Sequence, residues 1–160
     1  METTRHFVAT VYAVNDGAAA LHHHDKLDMW LPPGGHVDRD ELPHEAARRE
    51  TREELGLDPT LVTPENVGLE SETATAMPRP QHFLLEDINV CDGEVGHQHV
   101  DFVYYGHVKS RDIDPADGEA PADAWEWYTP ADIEAEAAQF AADVREAAKR
   151  AIRLVGAEVD

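Results

Sequence analysis

Cysteine is almost missing from this chain of 160 residues. Cys91 stands alone, which excludes an internal disulfide and any cysteine-based zinc cluster, and fits a small buried or edge residue. Positive charge is scarce too. Thirteen Lys and Arg, only three of them Lys, face 33 Asp and Glu, for a formal net charge of -20. Such a surface repels nucleic acid and anionic membranes, so neither is expected as a partner. Long apolar runs are also lacking: none nears the roughly 20 residues that cross a bilayer. The opening METTRHFVATVYAV has no basic region followed by an apolar core and cleavage site, so a cytoplasmic protein is expected. No internal repeat occurs, and residues 1–160 suit one compact domain with a substantial core.

A surface this acidic repels itself in dilute salt, whereas at about 1 M ionic strength the screening length falls to roughly 3 Å. Many Asp and Glu with few Lys therefore point to a halophilic protein working in a salt-rich cytoplasm.

What is present is concentrated in residues 35 to 57, GHVDRDELPHEAARRETREELGL. On a helical repeat Glu50, Glu53 and Glu54 fall at i, i+3 and i+4, and their carboxylates share one face. Like charges that close need neutralising. Hard oxygen ligands in small number, completed by water and substrate phosphates, suit Mg²⁺ or Mn²⁺. Arg49 lies four residues before Glu53 and is placed to orient the glutamates. Pro43 marks a first helical turn, and Gly56 followed by Leu57, Asp58 and Pro59 a left-handed stop. The plainer alternative is a solvated acidic helix face; seven specified residues at fixed offsets argue against it.

Those seven, Gly35, Glu41, Arg49, Glu50, Glu53, Glu54 and Gly56, resemble the Nudix box: Gly, five residues, Glu, seven residues, Arg-Glu, an aliphatic, any residue, Glu-Glu, any residue, Gly, an aliphatic. Trp30 to Gly35 resembles the strand and loop that lead into it. One position departs. Thr51 replaces the usual Ile, Leu or Val, and is expected to fill that volume while bonding back to a helix carbonyl.

The resemblance implies a three-layer α/β/α sandwich around a mixed β-sheet, and hydrolysis of a nucleoside diphosphate linked to another group, a nucleotide pyrophosphatase reaction. It implies metal held by Glu53 and Glu54 as essential ligands, with Glu50 as ligand or base, the Gly35 carbonyl as a further ligand, Arg49 as orienter and Glu41 in an outer shell. Some members of the family take the proton acceptor from a late loop instead, for which Glu119 is the candidate, against the plainer reading of a solvated loop charge. Homodimers are common in such a family. Two other classes stay open: a non-catalytic nucleotide sensor, against which the complete set of glutamates argues, and a sanitising pyrophosphatase for nucleoside triphosphates. An isoprenyl diphosphate isomerase would need a catalytic Cys, for which Cys91 is poorly suited. No substrate-class marker beyond the box stands out.

Elsewhere, His6 to Val14 alternates as a strand closed by the hairpin signal Asn15-Asp16-Gly17, with Ala18 to His23 as its partner. Met29 to Leu31, Leu61 to Thr63, Gly68 to Ala74, His82 to Val90, Val100 to Val108 and Trp125 to Tyr128 are further strand expectations. Asp112 to Asp123 reads as a loop, Thr129-Pro130 as a helix start, and Phe140 to Val155 as a helix. His22-His23-His24 is expected to be a polar turn. His97, His99 and Asp101 alternate onto one strand face as a candidate phosphate or metal contact, against a hydrogen-bonded strand face, and His36 after Gly35 is a candidate phosphate contact. The aromatics Phe83, Phe102, Tyr104, Tyr105, Trp125 and Trp127 are expected mainly in the core.

Overall fold

A computed structural model describes residues 2–159. The strand β1 (Thr4–Asn15) turns through Asp16 and Gly17, both with positive φ, into β2 (Ala18–His24). Asn-Asp-Gly closes this hairpin because the tight turn needs left-handed backbone at both central residues. Short strands β3 (Met29–Leu31) and β4 (Gly34–His36) follow, then helix α1 (Pro43–Leu55) and β5 (Thr60–Val62). The long hairpin of β6 (His82–Cys91) and β7 (Glu94–His107) leads to β8 (Trp125–Tyr128), α2 (Pro130–Ala135) and α3 (Ala142–Val159).

The strands form one mixed eight-stranded sheet in which β3, β2, β1, β7 and β5 are successive neighbours. Strand β1 is central: it runs parallel to β7 from Thr4 opposite His97 to Val14 opposite His107, and pairs antiparallel with β4 through Val8 to Thr10. Alternation along β1 then feeds two layers. Ala9, Val11 and Ala13 bury against α1, while Tyr12 and Val14 bury against α3. Each fully buried Val or Leu contributes about 1.5–3 kcal/mol. The result is an α/β fold with helices on both faces of the sheet, as expected.

Two expectations are corrected. Residues 68–74 form no strand: Leu69 is the only large apolar side chain there, it is exposed, and Gly68 sits at φ +96°, so the segment has no face to bury. The three histidines are not a turn but the end of β2, paired with β3. His22 is buried and stacked on Trp125 at 4.3 Å, and burial drives its pKa down to about 4. Among the described residues no helix is long and apolar enough to cross a membrane.

Candidate active site

Helix α1 lies with Ala46, Ala47, Thr51 and Leu55 buried on the sheet. Thr51 is fully buried and its hydroxyl donates to the Ala47 carbonyl at 2.8 Å, the back-bond that lets a polar residue occupy an aliphatic position. At the other end of the helix, the first turn is closed by the Glu45 carboxylate, which accepts from the Leu42 amide at 3.1 Å. Burying one stripe leaves Glu50, Glu53 and Glu54 along the edge that faces β4.

Arg49 gathers this edge. Its Nε and Nη2 donate to the two oxygens of Glu41 at 2.6 and 3.0 Å, Nη1 donates to Glu50 at 3.0 Å and to Glu53 at 3.2 Å, and Nη2 also reaches the His36 carbonyl at 3.1 Å. Hydrogen bonding from Arg49 holds the Glu41 carboxyl below its ordinary value. Glu54 turns the other way, its Oε2 accepting from the Gly34 amide at 2.7 Å. The same crowding reaches Gly35, where a Cβ would push the Glu50 carboxylate out of its place on Arg49.

The carboxylates are short of positive charge. Burial, then the charges of Glu50, Glu119 and Glu53, push Glu54 up to about 8 against the Gly34 hydrogen bond. Burial also raises Glu50, with Arg49 opposing and Glu53 and Glu119 adding. Three glutamates on one guanidinium, with Glu54 beside them on the Gly34 amide, leave a hard-oxygen donor set with net negative charge, which fits a divalent cation such as Mg²⁺ or Mn²⁺.

Glu119 belongs to this group through the docking of its loop. The Asp114 amide donates to the Leu55 carbonyl at 2.9 Å and the Ala116 amide to the Glu53 carbonyl at 2.7 Å, so the loop satisfies the orphan carbonyls that end α1. Gly56 permits the approach: it holds φ +70°, and a Cβ would strike the Asp114 carbonyl. The exposed Glu119 makes no side-chain hydrogen bond among the described residues.

A cleft of about 810 Å³ opens beside Gly34, Gly35 and His36 and runs over the opposite sheet face toward α3. His99 and Asp101, brought beside His6 and Val8 by the parallel pairing, line it. His97 lies on the same strand face, outside the cleft lining. Asp101 is buried; Oδ2 accepts from the Thr10 hydroxyl at 3.0 Å, while Oδ1 has no partner. Glu86 of β6, opposite His99, closes that gap if it keeps its proton, and burial with the Asp101 charge raises its pKa strongly. Burial and the neighbouring rings of His36, His97 and His6 lower His99.

Glu86, Thr10 and His6 escape a reading of the sequence because only strand register joins them to His99 and Asp101. The sole signal for Glu86 is alternation in HFLLEDI, which puts it on one face with His82 and Leu84. Of the six candidate aromatics, Tyr104, Tyr105 and Trp125 are buried, and none of the six lines this cleft. Cys91 ends β6 at the hairpin tip, exposed.

The NUDIX domain family model matches residues 4–150. The chain is similar to a solved NUDIX-family hydrolase from Clostridium perfringens, with 32% identity, a TM-score of 0.82, and coverage of 95% of this chain and 99% of that one. It also shares its fold with a MutT NUDIX hydrolase from Burkholderia pseudomallei, at 21% identity and TM-score 0.59 over 95% of this chain and 98% of that one. The E. coli dihydroneopterin triphosphate pyrophosphohydrolase, at 19% identity and TM-score 0.57 over 90% and 91% of the two chains, has the same fold. No curated protein matches the sequence.

Proposed function

The chain belongs to the Nudix hydrolase family, and from that premise we propose that it hydrolyses a nucleoside diphosphate linked to a further group, releasing two phosphorylated products. The observation that carries this reading is the edge of α1 beside the Gly34-Gly35 strand, where Arg49 holds Glu50 and Glu53 and the Gly34 amide holds Glu54. In it these three glutamates, with the Gly35 carbonyl, hold Mg²⁺ or Mn²⁺. Bound there, the ion neutralises phosphate oxygens and lowers the pKa of an attacking water.

The chain's own residues do the rest. Arg49 fixes Glu50 and Glu53 in one geometry and draws on the Glu41 pair for its own orientation, so positioning is set before substrate arrives. Glu119, whose charge is close enough to raise Glu50 and Glu54, is the proton acceptor for the water. The cleft takes the nucleoside end, with Asp101 and His99 along its floor and His36 at its mouth toward the phosphates. Polar side chains such as Thr10, His36, Glu86, His99 and Asp101 alternate in its lining with Val8, Leu31, Leu84 and Val103, a mixed surface suited to a nucleoside.

With a net charge of -20 the protein works on a small nucleotide rather than on nucleic acid. Its setting is a salt-rich cytoplasm. The reading is tested by product release from ADP-ribose, NADH, dinucleoside polyphosphates, and canonical and oxidised nucleoside triphosphates, in molar KCl with Mg²⁺ or Mn²⁺. Metal-dependent release of two phosphorylated products from one substrate class is the expected result. Tight nucleotide binding with no release would overturn it in favour of a sensor.

A further inference from the structure

Four imidazoles meet on the sheet face at the mouth of the cleft, and nothing in the hydrolytic reading uses them together. Strand pairing assembles them: Thr4 lies opposite His97, His6 opposite His99, and Val8 opposite both Asp101 and His36. Residues 4, 6 and 8 of β1 and 97, 99 and 101 of β7 share one face by alternation, and His36 joins them from β4.

One ring nitrogen from each of His6, His36 and His97 lies within 4.8 Å of the other two. His6 Nδ1 stands 3.3 Å from His36 Nε2. Two nitrogens bound at about 2.0–2.1 Å to one tetrahedral ion are separated by about 3.3–3.4 Å. We propose that His6, His36 and His97 form a binding site for one transition-metal ion of the Zn²⁺ class, distinct from the glutamate site and sharing only the His36 segment with it.

A second observation orients the third ligand. The Thr4 hydroxyl donates to the Gly96 carbonyl at 3.2 Å and lies 2.9 Å from His97 Nδ1. With the hydroxyl hydrogen on the Gly96 carbonyl, the oxygen accepts from His97 Nδ1 and Nε2 is the lone-pair nitrogen, the tautomer that metal binding would select. Metal-bound histidines are held in this way by a partner on the other ring nitrogen.

The ligand chemistry separates the two sites. Three neutral imidazoles suit Zn²⁺, Cu²⁺ or Ni²⁺ and offer little to Mg²⁺, which selects the glutamate oxygens. The fourth position is left to water or to an anionic oxygen, with the His99 ring centroid 5.1 Å from that of His97 and 5.3 Å from that of His36. The His36 carbonyl meanwhile accepts from Arg49. An ion on the His36 ring would thus anchor the strand whose glycines back Glu50 and Glu54.

The test is titration of metal-free protein with Co²⁺, whose visible absorption reports tetrahedral nitrogen coordination, in saturating Mg²⁺ to occupy the glutamates. One Co²⁺ per chain, displaced by Zn²⁺, is expected. Affinity should fall by about a hundredfold or more in His6→Ala and His97→Ala, and by about 10–100-fold in Thr4→Val, where only the orienting hydroxyl is lost. Circular dichroism checks that each variant folds. Imidazole nitrogen resonances of the unaltered protein give a second readout: Zn²⁺ should shift His6, His36 and His97. Absence of stoichiometric binding, unchanged resonances, or binding that survives both alanine variants and disappears in His23→Ala or Glu54→Gln would overturn the proposal.

Discussion

Arg49 and Glu41 face each other fork to fork, with Nε to Oε2 at 2.6 Å and Nη2 to Oε1 at 3.0 Å. The pair joins the loop before α1 to the helix face that carries the site, and it leaves Nη1 to bind Glu50 and Glu53. A lysine at 49 keeps the charge but cannot match two oxygens at once. Arg49→Lys should lower kcat/KM by about 10–100-fold, as loss of an orienting partner commonly does. The melting temperature should fall only modestly, because the charge is kept while the two-point match to Glu41 is lost. Steady-state kinetics beside a melting curve checks both; unchanged kcat/KM would remove Arg49 from the site.

Glu119 depends on Gly56. Gly56→Ala would strain a left-handed residue by roughly 1–2 kcal/mol and press on Asp114, displacing the loop. We expect lower stability and lower activity together. Glu119→Gln should leave the melting temperature unchanged and lower kcat by about 10²–10⁴, the range for a lost general base. Full activity in Glu119→Gln would return the proton to a glutamate of the helix.

The Glu86 and Asp101 carboxyls give stability a pH slope. Burial raises Glu86 above its ordinary value of 4.5, so the folded chain keeps a proton that the unfolded chain releases. The folded state then binds more protons, and stability falls as pH rises from the carboxylate range through neutrality. Glu50 and Glu54 add slope of the same sign. Denaturant unfolding between about pH 5 and pH 8 should show this decline, shallower in Glu86→Gln. A slope unaltered by that substitution would separate Glu86 from Asp101.

Salt should matter more than for an ordinary acidic protein. With 33 acidic against 13 basic residues, self-repulsion in dilute buffer is screened progressively as salt rises, down to a length of about 3 Å at 1 M. The melting temperature should rise markedly from low salt to molar KCl. Equal melting in both would contradict the salt-adapted reading.

The legible parts of this molecule were those that local chemistry dictates. Pro43, the back-bonded Thr51 and Gly56 mark α1 in sequence where it lies in space, because first-turn proline, helical alternation and a left-handed stop act over a few residues. The clustering of Glu50, Glu53 and Glu54 follows from the same helical repeat. Long-range pairing was not legible. His6 and His97 are neighbours only because β1 and β7 run parallel, and Glu86 meets Asp101 only through hairpin register. His22-His23-His24 misled for a related reason: polar residues suggest a turn, but β3 and β8 on either side of β2 supply the partners that keep them extended.

Glu54→Gln is the most direct test of the central claim. Glutamine can still accept from the Gly34 amide, while a charge pressed by burial and by Glu50, Glu119 and Glu53 is removed. Folding should therefore be kept or improved. Measured together, Mn²⁺ binding and substrate turnover at saturating Mg²⁺ should both collapse, turnover by more than about a hundredfold, since even outer partners of a metal site cost up to that. A Glu54→Gln protein that melts normally, binds Mn²⁺ and turns over most of its substrate would contradict the assignment of these glutamates as the metal-dependent hydrolytic centre.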